Sequence, residues 1–201
     1  MPRFIYIIRH GETDWNKNRR FQGQTDIPLN EEGRRQAGEL ARVLADIQPF
    51  DRIVSSDLGR AKETASIMSR GFGTPIHDDA GFREMDFGLW EGLDIEAIGE
   101  RWPDELRNWY ESGKLIVEGG ETQEQLFERL WGCFRYWADK TDYQKMAIVC
   151  HGGSCGILNC GLLGRPPWEM SQYIPINTGI SRVRVDGPGK YSLEQMADRL
   201  Y

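Results

Sequence analysis

Long apolar runs are scarce in this chain. The first, Phe4–Ile8, is too short for a signal-peptide core or a membrane span and is preceded only by Arg3. The expectation is a cytoplasmic protein with no membrane partner. Cysteine is equally sparse: Cys133, Cys150, Cys155 and Cys160 form no C-x-x-C pair, and no His-x-His lies beside them. That spacing gives no support to a zinc site or a redox dithiol, so reduced structural thiols, no metal and no cofactor are expected. Positive charge is in deficit too, with 25 Lys and Arg against 31 Asp and Glu, a net charge of -6. Nucleic acid and anionic lipid are thereby disfavoured, and any anion site has to be local. Repeats, linkers and low-complexity tracts are missing. What remains is an ordinary mixture, 39% hydrophobic and 28% charged, in 201 residues, which suits one domain with a real core.

Within that domain, strand-like and helix-like segments alternate. Phe4–Ile8, Arg52–Ser56 and Ala147–Cys150 read as short buried strands, each followed by polar or glycine-rich residues. In Asn30–Ile47, Ala37, Leu40, Ala41 and Leu44 share one helical face, Asn30 can cap the start, and Pro49 follows the end. Leu58, Ala61, Ala65 and Met68 repeat the pattern behind a possible Asp57 cap, with Gly71 as the stop. Thr122 and Gln125 form a capping box ahead of Leu126, Phe127, Leu130, Phe134 and Trp137, a helix running to about Lys140. Ile180–Val185 and Tyr191–Met196 flank Asp186–Lys190 as a hairpin. The alternation predicts an α/β three-layer sandwich, a mostly parallel central sheet with helices on both faces.

Open α/β sheets bind ligands beyond the carboxyl ends of their strands. Those positions hold Arg9-His10-Gly11, Asp57 to Arg60, and His151-Gly152-Gly153. Brought together, Arg9, Arg60, His10 and His151 would make a cationic pocket in an acidic protein, and phosphate is its natural guest, since guanidinium donors match phosphate oxygens. The glycines would let backbone N–H groups approach, and a helix starting near Gly153 would add free N–H groups and its positive dipole end. Taken alone, an Arg-His pair can simply end a strand, Arg60 can be a solvated arginine off its helix's apolar stripe, and His151 can be a core histidine. His77, in "TPIHDD", reads as a surface or structural histidine, and Cys155 as a buried inert thiol.

The segments "RHGETDWN" (9–16), "FQGQTDIPL" (21–29), "SSDLGRAKETA" (55–65), "REMDFGLWEG" (83–92) and "HGG" (151–153), in this order, resemble the histidine phosphatase superfamily in its phosphoglycerate-mutase-like branch. The likeness is weak between Gly92 and Ala147. The resemblance implies that His10 is the nucleophile of a phosphohistidine mechanism, with Arg9, Arg60 and His151 holding phosphoryl oxygens. Asn16 would hydrogen-bond them too, and Glu84 would protonate the leaving alkoxide, with Asp86 the nearby alternative. Gln22, Gly23 and Gly152 would complete the phosphate pocket.

It also implies a single domain over 1–201, with residues 93–125 as a small, mainly helical cap-like insertion. Neutral imidazole is a competent nucleophile, and fixed cations stabilise a transferring phosphoryl group without a metal. Between Leu93 and Gln125 there are nine acids and three bases, which suits a multiply phosphorylated substrate poorly and favours a phosphatase over a cofactor-dependent phosphoglycerate mutase. Trp90, Trp102, Trp109 and Tyr110 could wall an organic leaving group, as in the α-ribazole-phosphate phosphatases of the superfamily, or serve as packing. A small phosphorylated metabolite is the expected partner. The non-enzyme alternative is a phospholigand-binding module; the oligomeric state is not legible.

Overall fold

The computed structural model describes residues 2–45, 50–70 and 73–197. Chain order is β1 (Arg3–Arg9), α1 (Asp14–Lys17), α2 (Glu31–Ala45), β2 (Arg52–Ser55), α3 (Gly59–Ser69) and β3 (Ile76–Asp78), followed by α4 (Ile95–Arg101), α5 (Pro103–Ser112), α6 (Gln123–Ala138), β4 (Lys145–Cys150), α7 (Gly152–Leu163), β5 (Ile180–Gly187) and β6 (Lys190–Ala197). The six strands form one sheet in the order β3-β2-β4-β1-β5-β6. β3, β2, β4 and β1 run parallel, and the β5–β6 hairpin closes the edge antiparallel to β1.

Alternation along the strands explains the three layers, because successive side chains leave a strand on opposite faces. Tyr6, Ile8, Ala147 and Val149 pack with Leu40, Leu44, Ala61, Ala65 and Met68 of α2 and α3. Ile5, Ile7, Met146 and Ile148 pack on the other face with Leu126, Leu130 and Phe134 of α6 and Ile157 and Leu158 of α7. Ile5, Ile7 and Ile8 are fully buried, and each such side chain contributes about 1.5–3 kcal/mol. The run Phe4–Ile8 is therefore apolar throughout because both faces of β1 are covered.

Most sequence expectations match these elements, with informative differences. Asn30 does cap α2, accepting from the Gly33 N–H at 2.8 Å, although the predicted end at Ile47, Pro49 beyond it, and the Gly71 stop after α3 lie outside the described residues. The Thr122–Gln125 capping box starts α6 as read. Asp57, however, does not cap α3: Asp26 Oδ1 accepts from the Gly59 N–H at 2.8 Å, and Asp57 instead takes both arms of Arg83 at 2.7 and 2.6 Å. β3 has no signal in the sequence, because it is a three-residue exposed edge strand with no visible period. Its His77 has a structural place, with its ring 5.5 Å from that of Trp137.

Register places the site. Arg9 pairs with Cys150 at the ends of β1 and β4, the His10 N–H donates to Cys150 O at 3.0 Å, and the Ser56 N–H beyond β2 donates to Val149 O at 2.9 Å. Three parallel strands thus end level, side by side.

Candidate active site

At those strand ends, a cavity of about 340 Å³ is lined by Arg9, His10, Asn16, Gln22, Gly23, Arg60, Glu84 and Gly152, with Phe21, Phe87, Ile95, Trp109, Leu115, Met170 and Ile174 among its apolar walls. The imidazoles of His10 and His151 meet edge to face, 5.2 Å apart. Of the sequence-derived candidates, His151 and the alternative acid Asp86 do not line this cavity; His151 is fully buried beside His10.

His10 is 2% exposed, and its Nδ1 lies 2.6 Å from Gly11 O. A carbonyl cannot donate, so Nδ1 carries the proton and the neutral ring keeps its lone pair on Nε2. Burial, then the charges of Arg60 and Arg9, hold the His10 pKa well below its ordinary value. His151 is held low in the same way, by burial first and then by Arg60 and His10. Its Nδ1 accepts from Arg60 Nε at 3.1 Å, so its Nε2–H donates to Ser56 Oγ at 2.8 Å.

Arg60 is fully buried, not a surface arginine. Nη1 donates to Thr25 O at 2.9 Å and Nη2 to Gly23 O at 2.7 Å; with Nε on His151, two of its five N–H donors remain. Those two carbonyls are set by Glu91, which accepts from Gln24 N at 2.8 Å, Thr25 N at 3.0 Å and Thr25 Oγ1 at 2.5 Å. Arg9 gives Nη1 to Pro175 O at 2.8 Å, while its buried Nε–H has no partner among the described residues. A buried donor left so costs about 1–3 kcal/mol until an acceptor arrives. Burial lowers both arginine pKa values, yet both stay cationic because an arginine starts so high.

Asn16 has a fixed amide. Its Oδ1 accepts from Thr13 N and Asn177 Nδ2, each at 3.2 Å, which leaves Nδ2 to donate. Gln22 is locked by Thr13 Oγ1 at 2.9 Å.

Glu84 corrects one expectation. The N–H groups at the start of α7 are not all free for an anion: Gly153 N and Ser154 N donate to the Glu84 carboxylate at 2.9 and 3.0 Å, and Met85 N donates to it at 3.0 Å. Gly152 is the first-turn residue not committed to Glu84. A Cβ on Gly153 would lie 2.6 Å from Glu84 Oε1, so glycine there makes room for the carboxylate. Gly11 likewise serves packing: its N–H donates to Thr64 Oγ1 at 3.1 Å, and a Cβ would lie 2.4 Å from Gly33 O of α2. Asp86 faces elsewhere, with Oδ1 accepting from Gly88 N at 2.8 Å, and it does not line the cavity.

Among the aromatics, Trp109 lines the cavity, Trp90 is core, Trp102 packs against the core, and Tyr110 is 66% exposed. Cys150 and Cys155 are both buried, their sulfurs 3.5 Å apart, and burial pushes the Cys150 thiol up, as an inert thiol requires. Sequence reasoning missed Ser56, Thr64, Glu91 and Asn177, which act through backbone and side-chain bonds to distant segments, and the rim residues Arg19 and Arg20.

An α/β sheet whose parallel strand ends gather imidazoles and guanidiniums around one crevice is a framework for handling phosphoryl groups. Residues 5–199 match the model of the Histidine phosphatase superfamily (branch 1), and the chain belongs to that superfamily. Curated relatives in Salmonella paratyphi A and Salmonella choleraesuis (strain SC-B67), each named "Probable phosphoglycerate mutase GpmB", are 36% identical over 185 residues, covering 89% of this chain and 83% of theirs. Among solved structures, mycobacterial glucosyl-3-phosphoglycerate phosphatase with VO3 is 31% identical, with TM-score 0.81 and coverage of 96% of this chain and 98% of its own. The alpha-ribazole phosphatase from Shigella flexneri is 26% identical, with TM-score 0.86 and 96% coverage of each chain. No helix among the described residues is long and apolar enough to cross a membrane.

Proposed function

We propose that the protein is a metal-independent phosphomonoesterase that hydrolyses a small phosphorylated metabolite in the cytoplasm through a phosphohistidine on His10. The observation that carries this reading is the Nδ1–H bond to Gly11 O at 2.6 Å, which leaves Nε2 as the nucleophilic atom of a neutral ring at the cavity wall. The phosphomonoester enters as its monoanion and passes its proton to the Glu84 carboxylate; Nε2 then attacks phosphorus, the ester P–O bond breaks, and Glu84 gives that proton to the leaving alkoxide. Water then attacks the phosphohistidine while Glu84 takes the proton back, releasing inorganic phosphate and restoring His10.

The uncommitted Arg9 guanidinium donors, the two spare Arg60 donors, Asn16 Nδ2 and the Gly152 N–H bind the phosphoryl oxygens, and Gln22 and Gly23 line the pocket. His151 aligns His10 and Arg60, and gives its Nε2–H to a phosphoryl oxygen only by releasing Ser56. Glu84 is preferred to Asp86 because only Glu84 lines the cavity. Residues 93–125 act as a cap-like insertion on a single 1–201 domain, contributing Ile95, Trp109 and Leu115 to the wall.

A second reading, phosphoglycerate mutase, is favoured by the name of the 36%-identical relatives; the solved phosphatases favour hydrolysis, while none of the acids of 93–125 lines the cavity. Alpha-ribazole phosphate is the more specific phosphatase substrate suggested by the Shigella flexneri neighbour. Turnover of p-nitrophenyl phosphate with chelator present, run beside 3-phosphoglycerate with trace 2,3-bisphosphoglycerate, separates these readings. The expected result is chelator-resistant phosphate release faster than monophosphate interconversion. Faster interconversion would make the protein a mutase, and no turnover at any pH would leave a phospholigand-binding module.

A further inference from the structure

The cavity holds four arginines at two depths. Arg9 and Arg60 lie deep, whereas Arg19 and Arg20 line the same cavity from the exposed side. Among the described residues, neither rim arginine takes part in an ion pair, and Glu84 is the only carboxylate of the lining. The same cavity has an apolar wall that includes Phe21, Trp109, Leu115 and Met170.

The backbone beneath the rim pair is unusual. α1 ends with Arg19 N donating to Asn16 O at 3.0 Å and Arg20 N to Trp15 O at 2.8 Å. This paired pattern is a Schellman cap, whose left-handed position normally holds glycine. Here that position is Arg19, at φ 54. A side chain is thus kept where the local backbone favours none, at the mouth of the cavity, and such strain gathers where function selects it.

We infer that Arg19 and Arg20 form a second anion subsite, so that the preferred substrate is a phosphomonoester whose organic body carries another anionic group, a carboxylate or a phosphate, at the end remote from the scissile phosphoryl. The inference rests on the phosphomonoester reading and adds the substrate class. The deep pair takes the reacting phosphoryl group, the apolar wall takes the organic body, and the rim pair takes the distal anion. Because the rim is solvated, the gain is moderate and sensitive to salt.

The test is calorimetric binding of three non-hydrolysable ligands: benzylphosphonate, its 4-carboxy derivative and its 4-phosphonomethyl derivative. In the wild type, at least one doubly anionic ligand should bind roughly 3–20-fold more tightly than benzylphosphonate, a ratio that shrinks as ionic strength rises. Whichever gains more names the distal group. Arg19→Gly and Arg20→Gln should each lower that ratio by about 2–5-fold, with no fall in thermal midpoint for Arg19→Gly, since glycine suits the cap. Arg42→Gln, which removes the same charge from the last turn of α2 outside the cavity, should not change the ratio.

A wild-type ratio near one, an equal effect of Arg42→Gln, or equal weakening of all three ligands by Arg19→Gly would overturn the inference. Phenyl phosphate hydrolysis is measured alongside. Its absence would remove the hydrolase reading, while the binding ratios still decide the subsite.

Discussion

Replacing Gly153 by Ala tests the placement of Glu84 without touching its carboxyl. The new Cβ would sit 2.6 Å from Glu84 Oε1 and 3.1 Å from Met170 Cε, closer than such atoms can rest, so the carboxylate must swing away. It then loses the Gly153 and Ser154 N–H bonds at 2.9 and 3.0 Å. Bonds to a charged group are worth roughly 1.5–3 kcal/mol each. Rehydration of the displaced carboxylate and the better helix propensity of alanine, about 1 kcal/mol, return part of this. A net loss of about 1–3 kcal/mol in urea unfolding is expected.

The effect on chemistry is more selective. A positioned general acid contributes about 10²–10⁴-fold, but only where the leaving group needs a proton. Alkyl phosphates should therefore lose about 10²–10⁴-fold in kcat, whereas p-nitrophenyl phosphate, whose phenolate leaves unaided, should lose less than about tenfold. Glu84→Gln should reproduce the same split. Equal losses on both substrates, or no loss on either, would show that Glu84 is not the acid held by α7.

Two further outcomes follow from the buried charges. Because His10 and His151 are held neutral in the fold, their contribution is fully present above the unfolded pKa of about 6.5 and is lost as pH falls below it toward their depressed folded values. The slope is up to about 1.4 kcal/mol per pH unit for each ring, and urea titrations between pH 7.5 and 5 should be flatter in His151→Asn than in the wild type; an unchanged slope would contradict neutral burial. Glu91→Ala should cost about 1–3 kcal/mol of stability and lower kcat/KM, because the Gly23 and Thr25 carbonyls that hold Arg60 lose their anchor; full activity in the folded variant would show that Arg60 needs no such support.

Much of this was legible because it is local. The Phe4–Ile8 run, the Thr122 capping box and the residues just beyond each strand are read within a few positions, and parallel pairing then brings His10 and His151 together. Other features depend on distant segments. Arg60 reads as exposed because it lies off the stripe of α3, yet carbonyls of the 23–25 loop draw it inside. Glu84 reaches the start of α7 across 69 residues, and no spacing announces that. Arg19 shows the opposite limit: its left-handed backbone breaks a local preference, so sequence pattern alone gives no reason to expect a cap there.

A phosphoryl group bonded to His10 can be trapped by rapid quenching of a turnover reaction with ³²P-labelled substrate. The expected product is up to one labelled phosphoryl group per chain, stable to alkali and labile to acid, mapped to His10 and missing in His10→Asn. Label on a serine or an aspartate, or turnover persisting undiminished in His10→Asn, would contradict it.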